Sequence, residues 1–222
     1  MAEKIALLVC EGETDVYIFQ ALSAHFSSIE VRPLAPRPDA TSSGAYPSHG
    51  FGDVLKWCFA NQGKIQLSLD VVGARALFLQ MDTDIATQVN LDCINKGHSA
   101  RHCCQEKLNE KLGVLVEPPR CHYILPTQNT ETWILASHEP PERDENSIEI
   151  SNYEFIHDTG QRLIDLGYPS RKGKSNKAGR KLDKKPATKY KKYGKQLTDN
   201  LTLARQRCAE LDRLCHLLEA II

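Results

Sequence analysis

Four acidic residues follow closely after apolar runs of the chain. Glu11 follows KIALLV and one cysteine, Asp82 and Asp84 lie in MDTD after ARALFLQ, and Glu131 follows CHYILP after a short polar stretch. If these runs are parallel strands, their carboxyl ends meet at one edge of a sheet, where ligands bind in open α/β folds. The sequence therefore predicts a cluster of carboxylates at that edge, with Glu11, Asp82, Asp84 and Glu131 as the candidate catalytic residues.

Such a cluster is chemically informative because converging carboxylates repel one another and raise each other's pKa. A hard divalent cation with oxygen ligands relieves that repulsion. Asp82 and Asp84 are two residues apart, so in a strand they would share a face, and Asp15 falls in the first turn of the helix predicted after Glu11. We expect Glu11, Asp15, Asp82 and Asp84 to bind Mg²⁺, or Mn²⁺ in its place.

The elements that would position these acids follow from the apolar pattern. Continuous apolar runs bounded by turns are typical of strands buried on both faces. The predicted strands are 4–9, 29–34, 74–80 and 121–126. Between them lie segments whose apolar residues recur at helical spacing. The fold class is therefore α/β, with an open, mainly parallel sheet flanked by helices.

The composition of the sequence changes near Pro140, where the polar stretch PPERDENS begins. We expect an α/β domain over residues 1–139 and a basic, mainly helical region over residues 140–222. Within that region the pattern predicts one helix over 152–167 and one long amphipathic helix over 188–222.

The charges of the chain are unevenly distributed. The chain is neutral, but twelve lysines or arginines and one acid lie between Arg171 and Lys195. That segment therefore carries +11 and the remainder −11. Tyr190 and Tyr193 interleave with the lysines, a combination of stacking rings and phosphate contacts suited to nucleic acid. The predicted nucleic-acid contacts are Lys172, Lys174, Lys177, Arg180, Lys181, Lys184, Lys185, Lys189, Lys191 and Lys192.

The string LLVCEGETDVYIF, followed by a strand and MDTD, resembles a Toprim domain. This metal-binding module is shared by topoisomerases, primases and several nucleases. The form EGETD is most similar to overcoming-lysogenization-defect nucleases and to small standalone Toprim proteins linked to phage defence. The resemblance implies that Asp82 and Asp84 hold Mg²⁺, that Glu11 is a metal ligand or general acid/base, and that Glu131 is the further acid of the nuclease branch.

Three functions remain open at this stage. The first is a Mg²⁺-dependent nuclease, in which Lys174, Lys177, Arg180 or Lys181 would neutralise charge in the transition state. The second is a module that binds nucleic acid or a partner ATPase without cutting, since the chain has no GxxxxGK[ST] motif of its own. The third is a topoisomerase or primase activity.

Composition sets the expected environment. No apolar run approaches the ~20 residues that span a bilayer, and the N-terminus lacks the pattern of a signal peptide. We expect a cytoplasmic protein with no membrane contact, able to form homo-oligomers. The eight cysteines are expected to be reduced thiols, and a zinc site is disfavoured because no CxxC pair is present.

Overall fold

The computed structural model describes residues 4–26, 29–38, 46–47, 49–172 and 180–221. Its centre is a four-stranded sheet in the order β2-β1-β3-β4, with every neighbouring pair parallel. The strands are β1 (Lys4–Val9), β2 (Ile29–Ala35), β3 (Ala76–Gln80) and β4 (Cys121–Ile124). The predicted α/β class and parallel sheet are confirmed.

Helices cover both faces of this sheet. Those before β4 are α1 (Glu13–His25), α2 (Phe51–Ala60), α3 (Ile65–Val71), α4 (Ala86–Val89), α5 (Leu91–Asn95) and α6 (Ala100–Leu112). Those after β4 are α7 (Glu131–Ala136), α8 (Thr159–Asp165), α9 (Lys189–Asp199), α10 (Leu201–Arg207) and α11 (Ala209–Ile221).

Alternation along β1 divides the core into two layers. Ala6 and Leu8 pack with α1, whereas Leu7 and Val9 pack with α2 and α3 on the opposite face. In the strand order β2-β1-β3-β4, the chain passes from β1 to β2 on one side and then crosses back to β3 on the other side of β1. The strand order reverses between β1 and β3, and this reversal opens a crevice at their carboxyl ends.

The C-terminal region shares the α1 layer of the core. Leu197, Leu211 and Leu214 belong to the same buried cluster as Ala6 and Leu8. The hydrophobic core is thus continuous across the predicted boundary at residues 139/140.

Two predicted helices are interrupted. The single helix expected over 152–167 is a 3-10 turn at Tyr153–Phe155 followed by α8. The long helix expected over 188–222 is α9, α10 and α11, with breaks at Asn200 and Cys208. Cys208 has an extended backbone (φ −135°, ψ 105°), which ends α10 and redirects the chain.

The first part of the basic segment contains a small antiparallel strand pair, β5 (Ser170–Lys172) with β6 (Arg180–Leu182). The sequence analysis predicts no strand there, because most of these residues are charged and no apolar pattern is present. Lys174 and Lys177, two of the predicted nucleic-acid contacts, lie outside the described residues.

The cysteines differ in part from the expectation of reduced thiols. Cys93 on α5 and Cys103 on α6 form a disulfide, with Cα atoms 5.5 Å apart. The other six cysteines are free and buried. In the described part of the chain, no helix is both long enough and apolar enough to cross a membrane.

Candidate metal centre

Glu11 and Asp82 meet where the strand order reverses. The backbone N–H of Asp82 donates to Oε1 of Glu11 at 2.7 Å, which ties the end of β1 to the end of β3. Gln80, the buried last residue of β3, completes the connection: it accepts from the backbone N–H of Glu11 at 3.2 Å and donates to Oδ1 of Asp82 at 2.8 Å. These bonds fix both carboxylates at the mouth of the crevice.

Asp84 is placed differently from the prediction. Asp82 and Asp84 do not share a strand face, because the strand has ended and a 3-10 turn runs from Thr83 to Ile85. Thr83 is buried and its hydroxyl donates to the carbonyl of Pro126 at 3.0 Å. This turn leaves Asp82 half-buried beside Glu11 and directs Asp84 to the surface.

Asp15 and Glu131 occupy the inner wall of the same site. Asp15 is buried and accepts a hydrogen bond from the Thr130 hydroxyl at 2.7 Å. Thr130 stands at the N-cap of α7, and its side chain makes no capping bond but donates its hydroxyl hydrogen to Asp15. Glu131, also buried, accepts from the Tyr190 hydroxyl at 2.7 Å and pairs with Lys184 Nζ at 2.6 Å.

Burial and mutual repulsion disfavour negative charge here. Burial raises the pKa of Glu11 to about 7, with Asp15 and Asp84 adding to the shift. Burial also raises the pKa of Asp15 to about 6. The pKa values of Asp82 and Asp84 are raised for the same first reason, and Asp15 and Glu11 add to the effect at Asp82.

Glu131 is the exception among these acids. Burial alone would raise its pKa, but the Lys184 ammonium and the Tyr190 hydroxyl outweigh burial and hold the pKa below its ordinary value. The same ion pairing raises the pKa of Lys184 against the opposing effect of its own burial. Glu131 is therefore a carboxylate with an ion-pair partner. Among the described residues, none forms an ion pair with Glu11, Asp82 or Asp84, and Lys184 lowers their pKa values without overcoming the effect of burial.

The donor set suits a hard divalent cation. Carboxylate oxygens are the preferred ligands of Mg²⁺, which commonly takes one or two of them together with water and substrate phosphate. Within the described ranges, these acids do not bring three ligand oxygens within 4.8 Å of one another. Glu11 and Asp82 each accept a hydrogen bond from a neighbouring donor instead, so an ion shared with Asp84 would require these side chains to move closer together.

The predicted nucleic-acid contacts separate into groups. Lys172, Arg180, Lys181, Lys185 and Lys192 are exposed. Lys184 points into the acidic site, so its first partner is Glu131 and not a phosphate on an open surface.

The remaining predicted contacts lie on α9. The Nζ atom of Lys191 lies 5.0 Å from the centre of the Tyr17 ring. Lys189 donates to the carbonyl of Lys185 at 2.6 Å.

The two tyrosines of α9 have different environments. Tyr190 was expected to offer a stacking ring but is buried against Glu131. Tyr193 lies 4.6 Å from Tyr168, measured between ring centres, at an interplanar angle of 48°. The rings of Tyr168 and Tyr193 line a cavity of about 520 Å³. The other residues of its lining are His138, Leu166, Gly167, Pro169, Lys189, Lys192 and Gln196.

The sequence analysis missed Gln80 and Thr130, and it gave Tyr190 a different role, that of a stacking ring. Gln80 carried a usable signal, since it is a polar residue inside an apolar run and directly precedes MDTD. Nothing in the sequence indicates the contacts of Thr130 with Asp15 and of Tyr190 with Glu131, because the partners are far apart in the chain. Tyr190 and Glu131 are 59 residues apart.

No protein-family model matches the chain, and no curated protein or solved structure is similar to it at a significant level.

Proposed function

We propose that this protein is a Toprim-like, Mg²⁺-dependent nuclease that hydrolyses phosphodiester bonds of DNA or RNA. The observation that carries the proposal is the junction of Glu11 and Asp82 at the point where the strand order reverses. Asp84 stands two residues further on, at the surface where a substrate would approach. The order EG, then DTD, at successive strand ends is also the basis of the Toprim resemblance.

The chain's own residues would divide the work as follows. Glu11, Asp82 and Asp84 would hold Mg²⁺ or Mn²⁺, which supplies a bound water of lowered pKa and stabilises charge on phosphoryl oxygens. Gln80 orients Asp82, and the backbone of Asp82 orients Glu11. Lys184 adds positive charge within the acidic site, and this position suits contact with a phosphate group better than the exposed positions of Arg180 and Lys181.

The surface around α9 supports nucleic acid as the substrate. Tyr168 and Tyr193 present rings beside Lys189 and Lys192 in a cavity of about 520 Å³. This volume lies in the usual range of small-molecule pockets, ~300–1,000 Å³. A ring for base stacking next to an ammonium for phosphate is the combination used on single strands.

Cleavage of single-stranded DNA and RNA by the purified chain tests the proposal. We expect cleavage with Mg²⁺ or Mn²⁺ and none after chelation. Glu11→Gln and Asp82→Asn should each reduce the rate by at least ~100-fold while leaving the fold intact. The matched control is Glu145→Gln, an exposed acid outside the acidic site, which should cleave like the parent protein.

Two results would count against the proposal. Undiminished cleavage by both Glu11→Gln and Asp82→Asn would place the chemistry elsewhere. Tight binding of nucleic acid without cleavage under any metal would favour the non-cutting module, for which a partner ATPase could then be sought.

Binding itself is tested on the small strand pair. Replacing Lys172, Arg180 and Lys181 together by alanine should weaken binding and reduce the slope of log affinity against log salt by ~2, since each phosphate contact contributes ~0.7 on a single strand. The matched control replaces Lys56, Lys107 and Lys111, which pair with neighbouring acids on α2 and α6. That control should leave the slope unchanged.

A further inference from the structure

A second group of metal-binding side chains lies outside the acidic site, between α5 and α6. The ligand atoms of Cys93, His102 and Glu106 all fall within 4.8 Å of one another. Cys103, next to His102 in the chain, is bonded to Cys93. Three side chains therefore offer sulfur, nitrogen and oxygen donors to one point. The sulfur of Cys103 lies outside this group but is adjacent to it through its bond to Cys93.

The local fold explains why they meet. Ser99 caps α6 by accepting from the backbone N–H of His102 at 3.2 Å. His102 and Glu106 are four residues apart on α6, so they lie on the same helix face, with His102 Nε2 3.4 Å from Glu106 Oε1. Cys93 comes from α5, which Asn90 caps by accepting from the backbone N–H of Cys93 at 3.3 Å.

Burial distributes the donors in two layers. The sulfurs of Cys93 and Cys103 are at the bottom, on residues that are 3% and 0% exposed. The side chains of His102 and Glu106 are about half exposed, at 48% and 50%, and close over them. An ion could therefore enter from solvent and still find two sulfur ligands held by the core.

We propose that Cys93, Cys103, His102 and Glu106 form a zinc site that opens when the Cys93–Cys103 disulfide is reduced. Two thiolates, one imidazole and one carboxylate make the four-coordinate donor set that Zn²⁺ prefers, with Zn–S distances of about 2.3 Å. While the disulfide is intact, neither sulfur is a thiolate and zinc has only His102 and Glu106. The two states exclude each other, so the site responds to the thiol balance of its surroundings.

The chemistry of the switch balances with a dithiol as reductant. The dithiol gives two electrons and two protons to the S–S bond and becomes a cyclic disulfide, while Cys93 and Cys103 become thiols. Zinc then replaces the two thiol protons, which are released to solvent. The ion would join α5 to α6, and α6 packs against the turn that carries Asp84.

The test uses the full chain, reduced with a dithiol and then freed of it without oxygen. Titration with Co²⁺ should give thiolate-to-metal charge-transfer absorption and the visible bands of a tetrahedral ion, and Zn²⁺ should displace it at one ion per chain. The same chain left oxidised should give neither signal. Thiol counting under denaturing conditions should find six thiols before reduction and eight after it.

Variants identify the ligands. His102→Ala changes a half-exposed side chain, so it should leave the fold intact and weaken zinc binding by at least ~10-fold. Cys103→Ser should weaken the charge-transfer absorption, because one of the two thiolate ligands is lost. It should also let the chain take up zinc without prior reduction, because Cys93 then has no disulfide partner. The matched controls are His122→Ala, a histidine beside Glu117 on β4, and Cys104→Ser, the next residue on α6; both should bind zinc like the parent protein.

The outcomes separate this site from the acidic one. Zinc bound without thiolate absorption, or bound equally well by His102→Ala, would assign the ion to other residues and overturn the proposal. Failure of the reduced chain to take up zinc would also overturn it. Neither result bears on cleavage, and loss of cleavage in Glu11→Gln leaves the zinc prediction unchanged.

Discussion

At the residue scale, the acidic site contains carboxylates whose pKa values are shifted in opposite directions by their surroundings. Glu131 has a cation and a hydrogen-bond donor, so folding favours its charged form. Glu11 is held by a backbone N–H but stands among other acids, so folding favours its neutral form. The site is therefore divided into a half whose carboxylate is ion-paired and a half whose described carboxylates are not, and the proposed metal ion would occupy the second half.

The first prediction concerns the pH dependence of stability in the metal-free protein. The pKa of Glu11 is raised to about 7 in the folded chain, so its stabilising contribution is present at low pH and lost as pH rises toward 7. Glu11→Gln removes this loss while keeping an oxygen for the Asp82 N–H. The variant should gain about 1–3 kcal/mol relative to the parent between about pH 5 and about pH 8.

Urea unfolding at the two pH values, with a chelator present, measures this difference. If Glu11 is a ligand of the proposed ion, added Mg²⁺ should reverse the order at about pH 8, because the ion would then stabilise the parent protein and not the variant. An unchanged difference between the two pH values would show that Glu11 is ionised without cost in the folded chain.

The second prediction concerns the cation of the ion-paired half. Lys184→Met leaves Glu131 buried with only the Tyr190 hydroxyl as partner. Because the side chain of Lys184 is half exposed, we expect a loss of ~1–3 kcal/mol at neutral pH, less than for a fully buried pair. Lys185→Met, an exposed neighbour, should have almost no effect.

The sign of the pH dependence identifies the cause of that loss. The pKa of Glu131 is lowered in the folded parent protein, so the stability it contributes is present at neutral pH and disappears as pH falls through that pKa. The destabilisation by Lys184→Met should therefore shrink in acid. Thermal unfolding at neutral and acidic pH checks this, and an equal loss at both would mean that Lys184 acts through packing alone.

At the element scale, the sheet could be predicted from sequence and the C-terminal helices only in part. Buried parallel strands are apolar on both faces, so a run such as KIALLV identifies itself without its neighbours. The apolar positions predicted along 188–222 are indeed buried, among them Leu197, Leu211 and Leu218. The breaks at Asn200 and Cys208 stayed hidden because the buried period of three and four residues continues across them.

The site was predictable to a similar degree. Glu11 and Asp82 follow strands that can be recognised locally, and parallel pairing brings strand ends together. Tyr190 reaches Glu131 because α9 packs on α1 and α7, a tertiary contact that no local pattern contains. Lys184, in the connection between β6 and α9, pairs with the same carboxylate. The sequence therefore indicated the acids but not the cation among them.

The third prediction tests the contact between α9 and α1. A Cβ added at Gly194 would lie 2.6 Å from the Cβ of Ala21 and 3.3 Å from the carbonyl oxygen of Tyr17. Gly194→Ala must therefore push the helices apart, and we expect a loss of ~1–3 kcal/mol from overpacking. Because α9 carries Tyr190, the shift should also weaken its bond to Glu131 and lower any cleavage rate.

Gly160→Ala is the matched control, a helical glycine in α8 whose added Cβ would meet only the Cβ of Leu182, at 3.9 Å. This change should be neutral or stabilise the protein by up to ~1 kcal/mol, since alanine favours helix over glycine. Guanidinium unfolding of both variants compares them. Equal stability of the two would contradict close packing at Gly194.

At the scale of the whole molecule, the C-terminal region supplies core that the sheet needs. Leu197, Leu211 and Leu214 complete the layer over Ala6 and Leu8. Polar contacts reinforce this layer. Buried Glu210 accepts from the backbone N–H of Leu125 at 2.8 Å and from Arg101 at 2.5 Å, and buried Arg207 donates to the carbonyls of Ala136 and His138 at 3.0 and 2.8 Å.

The last prediction follows from that dependence. Residues 1–139 alone should lack a cooperative unfolding transition, because removing 140–222 exposes the apolar faces of α1 and α7 and leaves Glu131 without Lys184 or Tyr190. Calorimetry and near-ultraviolet circular dichroism of this fragment, beside the full chain, measure the effect. Adding residues 140–222 as a separate chain should restore part of the native signal. A cooperative transition of the fragment alone would instead mean that the sheet and the helices before residue 140 form an independent domain, and that the C-terminal region is an addition to a site already complete.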